Sequence, residues 1–368
     1  MDFTPSEEQI AAQGLAARIF GDLSTHDRMV AAGSGTDAGL WKEVCVAGLP
    51  GAAEETGLLG LVLLAEEQGR TTAQVPFVAS CVYGLLAVAE HGTDEQRERL
   101  LPPLRDGTAV AAGAFPAGGT VHVAAGGRPD AAAGREAGGS PGAAADAAAH
   151  GRLNGHVPLV PWLRDATHVL VAAADRSLWI VRTAGPGVVT EHVETTAPWA
   201  AGRLVLDGAP AERLGGPGAY EEVLAIARTA FAGVQAGVCA GSLARAVEHT
   251  GTREQFGRPL STNQAVLLRA ADAYMDTEAI RVTAYEAAWR HDERLPFAEQ
   301  ALTSAWWASE AGRRVVHAGQ HLHGGTGADL DHPVHRHFLW GRQLDAHLGG
   351  SGSVLQELGE LLVKEGPE

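Results

Sequence analysis

Apolar and polar positions in the first hundred residues recur with the period of amphipathic α-helices. Residues 59–70 and 78–92 carry apolar faces wide enough for helices that pack on one another. Before them, residues 4–8 combine small polar residues, a proline and two acidic residues, which is typical of a helix start. The pattern therefore predicts a helical N-terminal segment.

A further helix start is predicted at Thr93, because Gln96 follows three positions later and the two can form a capping box. Pro102 and Pro103 are expected to break or bend this helix, since proline lacks a backbone N–H. The helical pattern ends soon afterwards, and we place the boundary of the first segment at residue 110.

After residue 110 the pattern changes to short runs rich in β-branched residues. Four such runs, separated by glycine, proline and aspartate, predict strands, and they lie at 167–174, 177–183, 187–194 and 201–208. Residues 117–151 consist mainly of alanine and glycine, which bury little apolar area for each ordered residue, so we predict a mobile loop there.

The helical pattern returns from Tyr220 and continues through the rest of the chain. Its longest apolar run, 223–247, contains two arginines and many small residues, which indicates a buried helix and not a membrane span. We therefore predict an α+β fold that is mainly α. Its three parts are an N-terminal helical domain (1–110), a middle β domain (111–214) and a C-terminal helical bundle (215–368).

Composition limits the classes of function. The 368-residue chain has a formal net charge of −16 and no uniformly basic stretch, which argues against a general nucleic-acid-binding protein. Its three cysteines are far apart in apolar surroundings, which predicts buried free thiols in a reducing compartment. No basic and then apolar leader is found, so we expect a cytoplasmic protein.

Six of the sixteen histidines fall between residues 317 and 338. His317 and His321 are four residues apart, and His321 and His323 form an HxH pair; both spacings occur in metal sites. However, no glutamate completes an HExxH pattern, and the other three histidines follow a glycine-rich break. The alternative is that the imidazoles donate hydrogen bonds to backbone and ligand oxygens, and we predict no metal site.

The glycine-rich break, Gly324–Gly327, also has two interpretations. It follows a predicted helix, whereas a dinucleotide-binding GxGxxG sequence needs a strand before it. Gly324 and Gly325 can end a helix, because glycine tolerates a positive φ. They can also let backbone N–H groups approach a diphosphate closely.

Residues 252–266, TREQFGRPLSTNQAV, form a second candidate segment. Arg253 lies near Phe256, and Gln264 falls early in the helix predicted to follow. An arginine beside an aromatic ring can pair with a phosphate while the ring stacks on a planar base. Taken alone, the segment is more typical of the end of a helix that carries a solvated arginine.

Together these segments resemble the acyl-CoA dehydrogenase family, and five stretches occur in the family's order along the whole chain. HGTDEQRERLLPPLRDG (91–107) resembles the linker from its N-terminal helical domain. RLNG (152–155) and LDGAPAERLG (206–215) resemble its central β domain. TREQFGRPLSTNQAV and HLHGGTGADLDHPVHRHF (321–338) resemble its C-terminal bundle.

The resemblance implies flavin adenine dinucleotide (FAD) as cofactor. In this family, an Arg-x-x-Phe-Gly stretch and a Gln-x-x-Gly-Gly stretch of one subunit hold the ADP half of an FAD that is bound mainly by the neighbouring subunit. His321 stands where the family usually has glutamine, and it can still donate a hydrogen bond. The matching residues here are Arg253, Phe256, Gln264, His321, Gly324 and Gly325.

The chain departs from the family at the catalytic base. Family members use a glutamate to take a proton from Cα of an acyl-CoA while hydride leaves Cβ for the flavin, and they carry it at one of two positions. Here these positions hold Gly349 and Ala227, neither of which can accept a proton. On the flavin-ring side, Phe115 and Pro116 replace the usual Glu-Pro, and Trp162 is the only aromatic candidate after the LNG sequence.

Some bacterial members, especially those that act on steroid side-chain CoA thioesters, are α2β2 heterotetramers in which one subunit type lacks the base. We hypothesise that this chain is such a subunit, with a homologous Glu-bearing chain as partner, a bulky acyl-CoA as substrate and electron-transfer flavoprotein as acceptor. One alternative is a self-sufficient homo-oligomeric flavoenzyme with an unusual base, for which Glu248, Asp272 and Asp345 are candidates. The other is a scaffold that binds no flavin.

Overall fold

The computed structural model describes residues 2–115, 120–124 and 149–365. The chain divides into two compact units. The first consists of Met1–Val78, Thr195–Pro198 and Leu224–Glu368, and the second of Ala79–Glu194 and Trp199–Val223. The three-domain division that the sequence suggests stays a prediction.

The first unit begins with a group of helices. They are α1 (Glu7–Leu23), α2 (His26–Ala32), α3 (Ala38–Val46), α4 (Leu49–Glu55) and α5 (Gly57–Thr71). Ser6 caps α1, because its side chain accepts the N–H of Gln9 while the Gln9 side chain accepts the N–H of Ser6. The predicted helix start is therefore confirmed.

The helices that continue the chain lead into the second unit. They are α6 (Phe77–Ser80), a π-helical turn (Cys81–Leu86), α7 (Ala87–His91) and α8 (Asp94–Arg105). Thr93 and Gln96 form the predicted capping box of α8. The expected break at Pro102 is not found, because α8 includes both prolines and ends at Arg105. Each proline removes one N–H donor from the last part of the helix, and the helix ends two residues after Pro103.

A seven-stranded sheet forms the core of the second unit. Its order is β1-β4-β5-β7-β3-β2, with β6 also paired to β7; only the β1–β4 pair is parallel among the pairings described. The strands are β1 (Ala111–Ala114), β2 (Thr120–Val123), β3 (His150–Val160), β4 (His168–Ala172), β5 (Leu178–Arg182), β6 (Val188–His192) and β7 (Gly202–Leu214). The sheet buries an apolar layer that includes Leu153, Trp179 and Leu204.

The four predicted strands are confirmed as β4 to β7, and three strands were missed. The expected loop at 117–151 is wrong for Thr120–Val123, which pairs with β3 and buries Val121 against the sheet core. It is also wrong for His150 and Gly151, which begin β3. Most of the remaining tract lies outside the described residues. β1 has the sequence AAGA, which carries no strand signal, yet all four of its residues are buried beside β4.

The C-terminal part of the first unit is a helical bundle. Its long helices are α9 (Ala219–Thr252), which begins in the second unit, α10 (Gln264–Asp292) and α11 (Ala298–Leu322). A 3₁₀ turn (Gly324–Ala328), α12 (Val334–His347) and α13 (Ser351–Glu365) follow. Within the described ranges only α9 is long and apolar enough to span a membrane, but 78% of its apolar window is buried inside the chain. The predicted buried helix is thus confirmed.

Helices α5 and α9 cross with their backbones in contact. A Cβ atom added to Gly69 would lie 2.0 Å from the carbonyl oxygen of Val234, and one added to Gly237 would lie 2.0 Å from that of Glu66. At Gly241 the carbonyl oxygen of Arg70 would be 2.2 Å away. Because no side chain fits at these distances, the glycines determine how closely the two helices approach.

The N-terminus of α5 is capped from the far end of α10. The carboxylate of Asp292 accepts the N–H of Leu58 (2.8 Å) and that of Leu59 (2.9 Å), two groups that the helix itself leaves without acceptors. We expect Asp292→Ala to lower the free energy of unfolding by about 1–2 kcal/mol, measured by urea denaturation. The exposed neighbour Glu293 provides the control, and equal losses in Asp292→Ala and Glu293→Ala would contradict this role.

Candidate functional site

A short hairpin follows α9 and presents an aromatic ring. Its strands, β8 (Glu254–Gln255) and β9 (Arg258–Pro259), are joined by Phe256 and Gly257, which have φ angles of 53° and 77°. Positive φ at both central residues is typical of a type I′ turn, although it is unfavourable for phenylalanine. The Phe256 side chain is fully exposed, with a relative accessibility of 101%. Its ring is therefore available to a planar group from outside the chain.

Arg253 is held by its backbone and not by its side chain. Its N–H donates to the carbonyl of His249 (2.8 Å), and its carbonyl accepts the N–H of Leu260 (2.9 Å). Within the part of the chain that the structure describes, the exposed guanidinium makes no hydrogen bond or ion pair. It can therefore pair with an external anion without first losing a protein partner.

The 3₁₀ turn Gly324–Ala328, called the glycine loop below, follows the C-terminus of α11. Gly324 has a φ of 59°, and no heavy atom lies within 4 Å of a Cβ added to Gly324 or Gly325. Gly327 differs, because its added Cβ would lie 2.3 Å from the carbonyl oxygen of Gln320, whose side-chain amide donates to the Gly327 carbonyl (3.1 Å). Gly327 therefore packs against Gln320, whereas the backbone at Gly324 and Gly325 has free space beside it.

The candidate cofactor residues lie at one end of the helical bundle. The ring of His249, near the end of α9, stacks on that of His323, just after α11, with centroids 4.6 Å apart. Asp276 of α10 pairs with Arg314 of α11 (2.8 Å), and Arg269, near the start of α10, lines the same groove as His321, near the end of α11. Between these two helices is a groove of about 570 Å³ that His321 helps to line.

Sequence reasoning missed most of this groove. Its charged and polar lining comes from Arg269, Asp272 and Asp276 on α10 and from Arg314, His317 and His321 on α11. On each helix these residues are three or four positions apart, so they share one face. That spacing was a usable signal, but it does not by itself distinguish a groove from an ordinary solvated helix face.

The residues fit the ADP half of a dinucleotide. Arg253 offers an unpaired guanidinium, His321 is exposed and can donate from its ring, and Phe256 exposes a ring for stacking. The open backbone at Gly324 and Gly325 has room for a phosphate at close range. Among the described residues, no group of three or more His, Cys, Asp or Glu has the geometry to hold a metal ion.

Neither position at which the sequence resemblance places the family's base holds an ionisable group. Ala227 is 4% exposed on α9. Gly349 lies between α12 and α13 with a φ of 101°, which a side chain would strain. His347 is near in sequence, but it is enclosed against Phe231, with ring centroids 4.4 Å apart, and burial lowers its pKa to about 4. We infer that His347 is a neutral packing group.

None of the three alternative bases suggested by the sequence lies in a position suited to proton abstraction. Glu248 and Asp272 are exposed on α9 and α10 respectively. Asp345 lies 3.3 Å from the guanidinium of Arg342, with which it forms an ion pair. A carboxylate that removes an unactivated proton near neutral pH needs a desolvated position that substrate can reach. None of the three residues combines these properties.

On the β-sheet side, aromatic rings pack on one another. Phe115 lies between Tyr83 and Tyr220, with centroids 5.3 Å and 5.7 Å away. Trp162 is only 3% exposed and stacks on Trp199 at 6.0 Å, so it does not present its ring to a ligand. Pro116 lies outside the described residues. Phe115 and Trp162 therefore make internal ring contacts in this chain.

Comparison with known proteins agrees with this architecture. The family models for the acyl-CoA dehydrogenase N-terminal and C-terminal domains match residues 6–108 and 215–358. Acyl-CoA dehydrogenase FadE27 of Mycobacterium tuberculosis is 33% identical over 392 aligned positions, which cover 99% of both chains.

Two solved structures are also similar over nearly their full length. One is a variant of the Tcur3481-Tcur3483 steroid ACAD, with 40% identity, a TM-score of 0.85 and 98% of both chains covered. The other is the ChsE4-ChsE5 complex from Mycobacterium tuberculosis, with 30% identity, a TM-score of 0.87 and both chains covered completely. The predicted fold class is confirmed, and the chain belongs to the acyl-CoA dehydrogenase family, a family of flavoprotein oxidoreductases that act on CH–CH bonds.

Proposed function

We propose that this chain is the subunit of a heteromeric, FAD-dependent acyl-CoA dehydrogenase that lacks the catalytic base and completes the flavin site of a Glu-bearing partner. The observation that carries the proposal is an asymmetry in the chain. The nucleotide-facing residues are present and exposed at one end of the bundle, while both base positions lack an ionisable side chain.

The chain's own residues would act on the ADP half of the partner's FAD. The guanidinium of Arg253 would pair with the diphosphate, and the backbone at Gly324 and Gly325 would admit its oxygens. Phe256 would pack on the adenosine side, and His321 would donate a hydrogen bond. Gln264 begins α10 and is exposed at the same end, where its amide can contact the nucleotide.

The chemistry would be an α,β-dehydrogenation. The Cα–H and Cβ–H bonds of the acyl group would break and a C=C bond would form, with the proton passing to the partner's glutamate. FAD, when bound, would supply the acceptor for the hydride. This chain would not move the proton, since Ala227 and Gly349 cannot accept one. Its contribution would be to hold the cofactor and to complete the subunit interface around it.

The relatives support a bulky substrate and a two-subunit assembly. The structure 40% identical to this chain is described as a steroid ACAD formed by two named proteins, and ChsE4-ChsE5 is described as a complex. We therefore propose an acyl-CoA with a bulky acyl group, of the steroid side-chain type, as substrate. Electron-transfer flavoprotein would reoxidise the flavin, and the cytoplasm would be the compartment.

The test is a visible absorption spectrum, with a mass measurement, of the full chain purified alone and after co-expression with a homologous Glu-bearing subunit. We expect the chain alone to lack flavin bands and the co-expressed complex to hold about one FAD for each pair of unlike chains.

Other outcomes support the alternatives. About one flavin per chain in a homo-oligomer would favour the self-sufficient enzyme. A complex that forms without flavin would favour the scaffold. If the partner kept full activity and flavin content without this chain, the proposal would be wrong.

A further inference from the structure

Three imidazole rings are packed behind the glycine loop. His323 is buried, and its ring is stacked on His249 of α9 with centroids 4.6 Å apart and an interplanar angle of 25°. The His323 ring also contacts the His332 ring, with centroids 5.1 Å apart. We call these three residues the imidazole stack. It joins α9 to both ends of the segment that contains the glycine loop.

One hydrogen bond of the stack, at His332, requires a neutral ring. Nδ1 of His323 lies 2.7 Å from the carbonyl oxygen of Gly319, so this nitrogen donates. Nδ1 of His332 accepts the N–H of Val334 (3.3 Å), the first residue of α12, so it carries no proton. A proton on that nitrogen would remove the acceptor and place positive charge at a helix N-terminus, which the helix dipole disfavours.

The groups around the stack are mainly positive. Burial lowers the pKa of His249, and neighbouring His323 and Arg253 lower it further. Burial also lowers the pKa of His332, followed by the effects of His323, Arg245 and His249, while Asp329 opposes the shift. The ionisable groups facing the stack or beside it are Arg245, Glu248 and Arg253 on α9, His321 on α11, Asp329 and Asp331 after the glycine loop, and His335, Arg336 and His337 on α12.

Two further histidines, His335 and His337, hold the segment after the loop. Nδ1 of His335 donates to the carbonyl of His332 (2.6 Å), and Nε2 of His337 donates to the carbonyl of Arg70 on α5 (3.1 Å). Gln320 holds the loop at Gly327 (3.1 Å), whereas no heavy atom lies within 4 Å of a Cβ added to Gly324 or Gly325. The order of this open part therefore depends on the stack, because His323 immediately precedes Gly324.

We propose that the imidazole stack is an acid-sensitive support of the glycine loop, whose protonation at His249 or His332 releases residues 324–335 from their closed arrangement. Its consequence for flavin rests on the proposed function: mild acid would loosen this chain's half of the nucleotide site. The loosening itself requires neither flavin nor the partner.

The direction of the pH effect follows from the lowered pKa values. The open or unfolded segment binds protons with the ordinary histidine pKa of about 6.5, and the closed segment binds them only at lower pH. The closed arrangement therefore has its full stability above about pH 6.5 and loses stability as pH falls from there toward the lowered pKa values of His249 and His332.

The test is amide hydrogen exchange of residues 323–335 in the full chain between pH 7 and pH 5, corrected for the intrinsic pH dependence of exchange. We expect protection to fall about tenfold in the wild type. His332→Asn keeps an acceptor for Val334 but cannot titrate, and His249→Phe keeps a planar ring on His323. Each variant should reduce the fall, and the double variant should abolish it. His192→Gln, at an exposed position on β6 in the other unit, should behave like the wild type.

Two outcomes would overturn the proposal: an equal loss of protection in the wild type and the double variant, or constant protection in the wild type. If the double variant does not fold, the two single variants decide the matter in the same way. In the co-expressed complex, FAD retention between pH 7 and pH 5 gives a second readout. If the loop depends on pH but neither the chain nor its complex binds flavin, the proposed function is wrong and the proposal of an acid-sensitive loop is still supported.

Discussion

Arg253→Ala is expected to weaken FAD binding to the complex about thirtyfold, which corresponds to about 2 kcal/mol. The guanidinium is exposed beside the Phe256 turn, and no described residue pairs with it, so its charge is available to a diphosphate. Removing it eliminates a charge-assisted hydrogen bond without leaving a buried carboxylate unpaired in this chain. The measurement is titration of the flavin-free complex with FAD, followed by the quenching of flavin fluorescence.

A matched control separates this local effect from the overall charge of the chain. Arg18 is an exposed arginine on α1, and Arg18→Ala changes the net charge by the same amount. Affinity within about twofold of the wild type is expected for this control, as for other surface substitutions away from a site. Equal FAD affinity in Arg253→Ala and the wild type would show that the assignment of Arg253 is wrong, even if the complex still shares its flavin.

Gly237→Ala is expected to reduce the free energy of unfolding by about 3 kcal/mol, because a methyl group has no space where α9 crosses α5. The added Cβ would lie 2.0 Å from the carbonyl oxygen of Glu66, and backbone at this distance cannot rotate away as a side chain can. The two helices must separate, which also disturbs the buried carboxylate of Glu66 and its contacts with Arg281 (3.1 and 3.2 Å). Urea denaturation followed by circular dichroism measures the loss.

The control uses the same substitution in an open helix position. Gly14 lies within α1, and no atom comes within 4 Å of a Cβ added there. Gly14→Ala should therefore stabilise the chain by about 0.5–1 kcal/mol, since alanine has the higher helix propensity. If both substitutions changed stability in the same direction, the close crossing of α5 and α9 would not be the reason that Gly237 is glycine.

The elements that the sequence predicted well are those whose signal is local. Ser6 and Thr93 mark helix starts because a capping side chain bonds to residues three positions away. The strands β4 to β7 are rich in β-branched residues. β1 was missed because its sequence, AAGA, becomes a strand only through pairing with β4. β2 has the sequence TVHV and was missed because it lies inside the Ala/Gly-rich tract that predicted a loop. Both strands pair with partners more than 25 residues away in the sequence.

The candidate site divides in the same way. Its identities came from the sequence, since Arg253, Phe256 and the glycine pair occur in a recognisable order, and the substitutions at Gly349 and Ala227 are visible without coordinates. Their roles in FAD binding stay predictions. The groove between α10 and α11 was not predicted, because its lining combines one face of each helix and depends on how the two faces meet.

By itself, the sequence determined the family, the α-β-α order of segments and the helix starts that are capped locally; it also predicted that the base positions hold Gly349 and Ala227. Only the tertiary structure decided that His249, His323 and His332 stack behind the glycine loop, and that α5 and α9 meet at glycines. The physical reason is the separation along the sequence over which each interaction acts. Caps and periodicity act over a few residues, whereas stacking and backbone contact depend on distances between segments that are 74 and more than 160 positions apart in the sequence.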